Sequence, residues 1–203
     1  VVVYSYAFIV LSEYALFITA MGERNDGSIC TSKVGTYVEP FVVVNNSRVY
    51  DYDIKIAVCG TPVTEKTEPQ VLREDHVVLK LLGRQPFERE TSFIIDGNSN
   101  AKILTIGEAY TTEGNWAGFP PHKHDEDNMP KECIAEEIYY FLFEPKQGFA
   151  VQCLYTSDGS IDEAYRVKNY ELVEFPVGYH TTVTTPGYKS YFLWLMAGDY
   201  QGF

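Results

Sequence analysis

Residues 136–155 read EEIYYFLF-EPKQG-FAVQCLY, two apolar runs joined by a segment that contains Pro145 and Gly148. Both runs are rich in aromatic or β-branched side chains, which suit pleated strands, and proline and glycine suit the turn between them. Comparable short runs recur on either side, at 41–46, 76–83, 101–110, 170–178 and 190–198. Because helix signals are nearly absent, the pattern predicts an all-β sandwich or barrel.

One polar stretch determines the expected organisation of the chain. The length of 203 residues allows one or two domains. Residues 62–76, PVTEKTEPQVLREDH, are mostly polar and are predicted to form a strandless linker. This linker divides the chain into an N-terminal part, 1–75, and a C-terminal part, 76–203. We therefore expect two β-barrels in tandem, with the second one complete.

The first 21 residues, VVVYSYAFIVLSEYALFITAM, look superficially like a targeting or membrane-spanning segment. They lack a basic leader, and Glu13 interrupts the apolar run. Their β-branched and aromatic side chains favour strands over a helix. We predict two core strands of a soluble domain and no membrane partner.

Composition limits the class of partner and the compartment. The net charge of −12, without a cluster of Lys and Arg, disfavours nucleic acid, because a phosphate backbone requires clustered cations. The 45% apolar content is enough for a core. No two of the four cysteines form a C-x-x-C pair, so we expect reduced, mostly buried thiols and a cytoplasmic protein: Cys30, Cys59, Cys133 and Cys153.

The histidines carry the main functional signal, since three of only four lie in the second half of the chain. His122 and His124 occur in PPHKHD. Residues two apart on a strand share a face, so the two imidazoles would converge while Lys123 points the other way. His180 follows in FPVGYH, where proline and glycine fix a turn into a strand.

A carboxylate completes the candidate metal site. Glu136 and Glu137 open the strand EEIYYFLF, and neighbours on a strand point to opposite faces, so only one of them can easily join the histidines. Three imidazoles and one carboxylate suit a divalent transition metal. We expect one such ion, with zinc first and manganese, iron or nickel as alternatives. No histidine precedes His76, so we expect no metal in the N-terminal part.

These residues resemble a known family. H-x-H, a later Glu and P-x-G-x-H form the cupin metal motif, although the twelve residues between His124 and Glu137 are more than most cupins have. The insertion and its surroundings, from about Gly107 to Gly198, are similar to the 5-deoxy-glucuronate isomerases of myo-inositol catabolism. The words that carry this similarity include GNW (114–116), PPHKHDE (120–126), EEIYY (136–140), QGFAVQ (147–152), GYH (178–180) and MAG (196–198).

The resemblance implies a bicupin, with two jelly-roll barrels in tandem, acting on a small sugar acid. It implies isomerisation of 5-deoxy-glucuronate to 5-dehydro-2-deoxy-gluconate, and we expect a homo-oligomer. The carboxylate ligand would be Glu137, because it aligns with the family word E-[IV]-Y-[YF]; the other ligands would be His122, His124 and His180. A related ketol-isomerase acts on a pectin-derived deoxy-hexosulose uronate, which is the nearest alternative.

Further roles are less constrained by the residues. The general base could be a metal-bound hydroxide or the side chain of Glu136, Tyr139 or Tyr179. Among these side chains we select Glu136 and Tyr179 as the expected catalytic residues. Gln152 is expected to orient an oxygen of the substrate at the metal. The substrate carboxylate needs a cation, and we expect Arg166 or Lys189 to supply it.

Two other functional classes compete with the isomerase. An iron-dependent cupin dioxygenase would use the same ligands, and it would require iron and consume oxygen. A non-catalytic sugar-binding cupin would tolerate the loss of a ligand, whereas all four ligand positions are filled here. Metal analysis and oxygen uptake would separate these classes.

Overall fold

The computed structural model describes residues 74–199 and residue 201, together with the strand segments 6–10, 14–23, 29–30, 37–38, 41–42, 54–62 and 70–72. The chain divides into two compact units. The first comprises residues 1–77 and 97–102, and the second comprises residues 78–96 and 103–203. The expected division into domains 1–75 and 76–203 stays a prediction about independently folding parts.

The described residues of the first unit include seven antiparallel strands. They are β1 (Tyr6–Val10), β2 (Tyr14–Glu23), β3 (Ile29–Cys30), β4 (Tyr37–Val38), β5 (Phe41–Val42), β6 (Ile54–Pro62) and β7 (Gln70–Leu72). β2 pairs with β1, β3 and β6, β1 also pairs with β7, and β4 pairs with β5. The prediction of two strands near the start is therefore confirmed, whereas the burial of their side chains lies outside the described residues.

β7 corrects one prediction. Gln70–Leu72 falls inside the stretch 62–76 that we expected to be strandless, yet it pairs with residues 6–8 of β1. Strand formation here depends on a partner that supplies backbone hydrogen bonds, which the polar composition of the stretch does not reveal. A single 3-10 turn, Glu74–His76, follows β7, and His76 is exposed.

The second unit contains two antiparallel sheets. Their strands are β8 (Val78–Leu82), β9 (Arg89–Ile95), β10 (Leu104–Thr111), β11 (Trp116–His122), β12 (Ala135–Glu144), β13 (Phe149–Tyr155), β14 (Asp162–Lys168), β15 (Leu172–Phe175), β16 (Tyr179–Thr184) and β17 (Lys189–Gly198). The larger sheet has the strand order β15-β12-β17-β10-β9-β8 and the smaller has the order β11-β16-β13-β14.

The core of this unit lies between the two sheets. On β12 every second side chain is buried, which is the alternation expected of a strand with one face on a core. Both sheets contribute to one apolar cluster, with aromatic residues from the larger and smaller side chains from the other; its members include Phe141, Phe192, Trp194, Ala150, Leu154 and Val167. Burial of a large apolar side chain stabilises a fold by roughly 1.5–3 kcal/mol, so this cluster holds the sheets together.

Three hydroxyl groups also connect the sheets. Thr111 Oγ1 on β10 lies 2.6 Å from Thr184 Oγ1 on β16 and 2.5 Å from Ser190 Oγ on β17. Thr184 Oγ1 and Ser190 Oγ lie 2.6 Å apart, which closes a triangle. All three residues are buried. Because opposite residues of antiparallel strands share a face, this triangle also marks which face of β10 and of β9 points inward.

The all-β prediction is confirmed, since the described residues contain strands and one 3-10 turn but no α-helix. The two sheets of the second unit face each other without joining into one closed sheet. The finer expectation of two tandem barrels stays a prediction. The described part of the chain contains no helix that combines the length and apolar character needed to span a membrane.

Candidate metal centre

His122 is the last residue of β11 and lies directly opposite His180 across the strand pair β11–β16. Its Nδ1 atom is 3.3 Å from the carbonyl oxygen of Pro120. An Nδ1–H donor in this contact would leave Nε2 free to face the other candidate ligands. The centroids of the His122 and His180 rings are 4.5 Å apart.

His124 lies beyond the end of β11, in a segment that the structure places outside any strand. Strand alternation is therefore not what brings it to His122, in contrast to the prediction from H-x-H. The backbone carbonyl of His124 instead accepts a hydrogen bond of 3.0 Å from the N–H of Ala135, which starts β12. The ring reaches the other imidazoles, at 5.2 Å from His122 and 5.5 Å from His180.

Lys123 and Glu132 hold the segment around His124 in place. Glu132 Oε1 accepts hydrogen bonds from Lys123 Nζ at 2.7 Å, from the N–H of Asp125 at 2.8 Å and from the N–H of Glu126 at 2.9 Å. The hydrogen bond to Glu132 is the largest cause that raises the pKa of Lys123 above its ordinary value. Lys123 therefore points away from the histidines. Its contact with Glu132 connects the segment around His124 with the later part of the insertion that follows it.

Glu137 and His180 bring the carboxylate and the third imidazole together. Glu137 is the third residue of β12 and is 3% exposed, and His180 is the second residue of β16 and is 1% exposed. Glu137 Oε2 lies 2.9 Å from His180 Nε2 and 3.4 Å from His124 Nε2. Phe175 stacks on the His180 ring at 4.6 Å and an interplanar angle of 18°, which fixes the ring orientation.

The four residues converge. One potential ligand atom from each of them lies within 4.8 Å of the corresponding atoms of the other three: His122, His124, Glu137 and His180. The two sheets both contribute, since Glu137 comes from the larger sheet and His180 from the smaller. Such a set of nitrogen and oxygen donors matches the ligands that zinc, iron and manganese take in proteins.

Unpartnered atoms provide an independent check on the fit to a metal. His124 Nδ1 and Nε2, His180 Nε2 and Glu137 Oε2 are buried without a hydrogen-bond partner, although the carboxylate oxygen lies close to both rings. A buried polar atom without a partner costs about 1–3 kcal/mol, so such atoms are rare unless a ligand satisfies them. The four side chains therefore fit a divalent metal ion.

The charge states suit metal binding. Burial by itself raises the pKa of Glu137, but the neighbouring His124 and His180 lower it by more, so the pKa falls to about 2. Burial lowers the pKa of His122 to about 4, the nearby His180 adds to this drop, and Glu137 opposes it. At neutral pH the carboxylate is thus ionised and the His122 imidazole is neutral, which are the forms that coordinate metals.

Gln152 is fully buried on β13, on the same face as Leu154, which pairs with His180. Its Nε2 donates hydrogen bonds to the carbonyl oxygens of Thr181, at 2.8 Å, and Cys153, at 3.2 Å. Its Oε1 atom is buried without a partner. Among the three side chains that we expected to be catalytic, Gln152 is the one that the structure directs into the interior with the cluster.

Glu136 and Tyr179 do not join the cluster. Glu136 is exposed on the face of β12 opposite to Glu137. Tyr179 precedes His180 on β16 and stacks on Tyr155 at 5.5 Å, on the outer face of the smaller sheet. Their predicted catalytic roles therefore have no support from proximity to the histidines.

Arg166 and Lys189 are also exposed and lie apart from the cluster. Arg166 on β14 pairs with Val151, on the face opposite to the buried Val167, and lies over the ring of Phe149 at 5.8 Å. Lys189 pairs with Glu144 at the far end of β12, seven residues beyond Glu137 in the same strand. The structure does not bring either cation to the candidate metal centre.

Tyr139 is a site residue that we named as an alternative but did not select. It follows Glu137 by two residues on β12, so strand alternation could have placed it on the same face. It is 4% exposed, and its ring lies 5.9 Å from that of His180. Burial raises the pKa of its hydroxyl well above the ordinary value, and the Glu137 carboxylate adds to the rise. The hydroxyl therefore keeps its proton at neutral pH.

Two facing antiparallel sheets that hold three imidazoles and one buried carboxylate between them define an all-β protein with a candidate metal centre. The chain belongs to the KduI/IolB family, whose model matches residues 37–202. The solved structure of an IolB-like protein from Salmonella typhimurium LT2 is 27% identical in sequence, with a TM-score of 0.74 over 99% of this chain and 78% of that one.

Relatives with the name 5-deoxy-glucuronate isomerase match most of the chain. The protein from Geobacillus kaustophilus (strain HTA426) is 41% identical over 166 residues, which are 79% of this chain and 60% of that protein. The protein from Halalkalibacterium halodurans (strain ATCC BAA-125) is 32% identical over 193 residues, which are 89% of this chain and 72% of that protein. The chain thus spans about three fifths of the length of the Geobacillus relative.

Proposed function

We propose that this chain carries the active site of a metal-dependent ketol-isomerase that converts 5-deoxy-glucuronate to 5-dehydro-2-deoxy-gluconate. The single observation that carries the proposal is the buried cluster of His122, His124, Glu137 and His180, with ligand atoms within 4.8 Å of one another. The substrate is inferred from relatives at 32–41% identity, which have the name 5-deoxy-glucuronate isomerase. An aldose–ketose isomerase must stabilise charge on two adjacent oxygens, and such a cluster suits that demand.

The four clustered residues would hold one divalent ion, for which zinc is our first expectation. When bound, the ion would polarise the substrate carbonyl as a Lewis acid. The unpartnered atoms of His124, His180 and Glu137 support this role, because metal coordination would satisfy them. Manganese, iron and nickel are compatible with the same donors, so metal analysis has to identify the ion.

Interior side chains would orient the substrate and handle protons. Gln152 Oε1, which lacks a partner, can accept a hydrogen bond from a substrate hydroxyl. Because its Nε2 is held by the carbonyl of Thr181, the amide cannot turn without losing that bond. The protonated hydroxyl of Tyr139 can donate a hydrogen bond to a substrate oxygen that gains negative charge. Glu136 and Tyr179 stay predictions as acid–base residues, which Glu136→Gln and Tyr179→Phe would test.

The wider expectations are part of the same proposal. Two tandem cupin barrels, a homo-oligomeric assembly and a cytoplasmic location are features we propose for the whole protein. The family match over residues 37–202 includes part of both compact units, which supports a two-part architecture. Among the described residues, Cys133 and Cys153 are not part of a disulfide, which is compatible with a reducing compartment.

A coupled assay tests the proposal directly. Purified protein is stripped of metal, reloaded with one divalent ion at a time, and assayed with 5-deoxy-glucuronate beside the pectin-derived deoxy-hexosulose uronate. We expect turnover of 5-deoxy-glucuronate with at least one ion, and loss of both metal retention and turnover in His122→Ala. Circular dichroism of His122→Ala should keep its β-sheet signal, because the apolar core does not contain His122.

Other outcomes would point to the competing classes. Preference for the pectin-derived uronate would replace the substrate but keep the reaction. If neither uronate reacts and iron-loaded protein consumes oxygen with another substrate, a dioxygenase takes the place of the isomerase. Metal binding without any turnover or oxygen uptake would favour a binding protein.

A further inference from the structure

Arg89 places a positive charge on the inner face of the larger sheet. It is the first residue of β9 and pairs with Thr111 of β10. Thr111 points inward, because its hydroxyl contacts Thr184 of the opposite sheet. Residues paired across antiparallel strands share a face, so Arg89 also points inward, and its side chain is partly buried.

Tyr139 lies on the inner face of β12 two residues from Glu137, and Arg89 faces the same interior from β9. The guanidinium charge opposes the rise in the pKa of the Tyr139 hydroxyl that burial and Glu137 cause. Burial lowers the pKa of Arg89 itself, and Tyr139 opposes that change. Tyr139 packs against His180 with ring centroids 5.9 Å apart, so Arg89 faces the same interior between the sheets as the candidate ligands.

The guanidinium of Arg89 has N–H donors that its described contacts do not use. Within the described part of the chain its Nη1 donates one weak hydrogen bond, 3.4 Å long, to the carbonyl oxygen of Phe87, and no carboxylate forms an ion pair with it. A guanidinium has five N–H donors in a fixed fork, which matches the two oxygens of a carboxylate. A partly buried guanidinium with an unfilled fork is therefore suited to an anionic ligand.

Thr91 provides an independent observation next to Arg89. It lies two residues further along β9, on the same inward face, and is 4% exposed. Its Oγ1 atom is buried without a hydrogen-bond partner in the described residues. A buried hydroxyl of this kind is costly unless a ligand uses it. Arg89 and Thr91 thus provide a charged guanidinium and a hydroxyl on the same face of β9.

We propose that Arg89 and Thr91 bind the carboxylate of the substrate, at the end of the six-carbon chain opposite to the reacting carbons. This inference rests on the proposed function for the identity of the substrate. The net charge of −12 repels a uronate, so a local cation near the site is needed to bind one. Arg166 and Lys189, the cations expected from sequence, are exposed and lie apart from the cluster.

Two binding probes test the subsite without relying on turnover. D-glucuronate and D-glucose differ by a carboxylate at one carbon, and their affinities for metal-loaded protein can be measured by calorimetry. We expect the wild-type protein to bind D-glucuronate more tightly than D-glucose. Arg89→Gln should lower the ratio of the two affinities by about 10- to 100-fold, the range for hydrogen bonds to charged groups. Arg89→Lys keeps the charge without the fork and should retain part of the preference. Arg84→Gln, on an exposed turn, is the matched control.

Kinetics and stability give two more readouts. With 5-deoxy-glucuronate, Arg89→Gln should raise KM by a similar factor and leave kcat nearly unchanged, because the carboxylate is remote from the reacting carbons. Thr91→Val should weaken D-glucuronate binding by about 3- to 10-fold and yet raise the melting temperature, since it removes a buried hydroxyl without a partner. A merely structural hydroxyl would instead lower the melting temperature when removed.

The outcomes separate this inference from the proposed function. If 5-deoxy-glucuronate is not turned over but Arg89→Gln still removes the preference for D-glucuronate, the subsite stands and the reaction does not. The subsite is overturned if Arg89→Gln keeps the full preference, if Arg166→Gln removes it instead, or if the wild-type protein does not distinguish the two sugars. Should Arg89→Gln fail to fold, Arg89→Lys and Thr91→Val decide the question.

Discussion

Asp125 Oδ1 accepts a hydrogen bond of 2.9 Å from the backbone N–H of Gly178. Asp125 directly follows His124, and Gly178 lies two residues before His180, so one carboxylate connects two ligand-bearing segments that are far apart in sequence. Gly178 has a φ of +100°, and a Cβ atom there would lie 2.9 Å from the carbonyl oxygen of Tyr155. Only glycine suits this position, and its N–H is directed to Asp125.

We therefore predict that Asp125→Ala weakens metal retention by about 10- to 100-fold, the range found when the supports of metal ligands are removed. Asp125→Asn keeps an oxygen that can accept the Gly178 hydrogen bond and should retain most of the affinity. Competition with a chelator measures the affinity, and Asp162→Ala, on an exposed strand end, is the control. Equal losses in Asp125→Asn and Asp125→Ala would show that the charge, and not the hydrogen bond, is what counts.

Glu137 and Glu136 form a matched pair of adjacent carboxylates on opposite faces of β12. We predict that Glu137→Gln lowers metal affinity by at least about 100-fold, because it removes a buried charged ligand, whereas Glu136→Gln changes it by less than about 3-fold. Metal content after dialysis, measured by mass spectrometry, checks both. Retention of metal by Glu137→Gln together with loss in Glu136→Gln would reverse the assignment.

Cys133 is 1% exposed, and burial raises the pKa of its thiol above the ordinary value of 9.0. A thiol whose pKa is higher in the folded state stabilises the fold fully below about pH 9, and this contribution is lost as the pH rises from there toward the folded-state pKa. We predict that iodoacetamide at pH 8.5 labels Cys133 at least about 10-fold more slowly than the partly exposed Cys153, since only the thiolate reacts.

Peptide mapping by mass spectrometry measures the two labelling rates, and labelling in urea should make them similar. Equal rates in the native protein would mean that Cys133 is accessible. They would also argue against its burial beside the segment that carries Glu132.

Gly107 on β10 allows two strands and a large ring to approach closely. A Cβ atom at this position would overlap Trp194 Cζ2 and the backbone carbonyl oxygen of Ser92. We predict that Gly107→Ala lowers the free energy of unfolding by about 1–3 kcal/mol, because the backbone of β9 cannot move aside cheaply. Urea denaturation followed by tryptophan fluorescence measures this loss.

Gly159 provides the comparison for Gly107. A Cβ atom at Gly159 meets nothing within 4 Å, although the φ of +72° disfavours alanine. Gly159→Ala should therefore cost only about 1 kcal/mol of backbone strain. A larger loss in Gly159→Ala than in Gly107→Ala would contradict the steric explanation.

Much of the candidate site could be predicted from residue order. The alternation of β12 correctly separates Glu137 from Glu136, because each step along a strand changes the face. The same rule also bears on two predicted catalytic residues. Glu136 and Tyr179 are immediate neighbours of Glu137 and His180, so a strand that directs the ligands inward directs these two outward.

The other contacts of the candidate site depend on which strands pair with each other, and the sequence does not state this. His122 meets His180 because β11 pairs with β16, and the sequence of either strand does not state its partner. His124 meets both through a loop held by Glu132, not through strand alternation. Arg89 faces the interior only through the pairing of β9 with β10, and the sequence of β9 does not state that partner.

The triangle of hydroxyls formed by Thr111, Thr184 and Ser190 has a consequence for how the two sheets can move. Three hydroxyls in a closed ring can satisfy one another fully only if each donates once and accepts once, all in the same rotational sense. An apolar contact tolerates sliding, because it has no direction, whereas such a ring loses two of its three bonds when one member shifts by an ångström or so. The ring of hydroxyls therefore resists sliding of one sheet over the other. It keeps the candidate ligands that come from different sheets at fixed positions relative to one another.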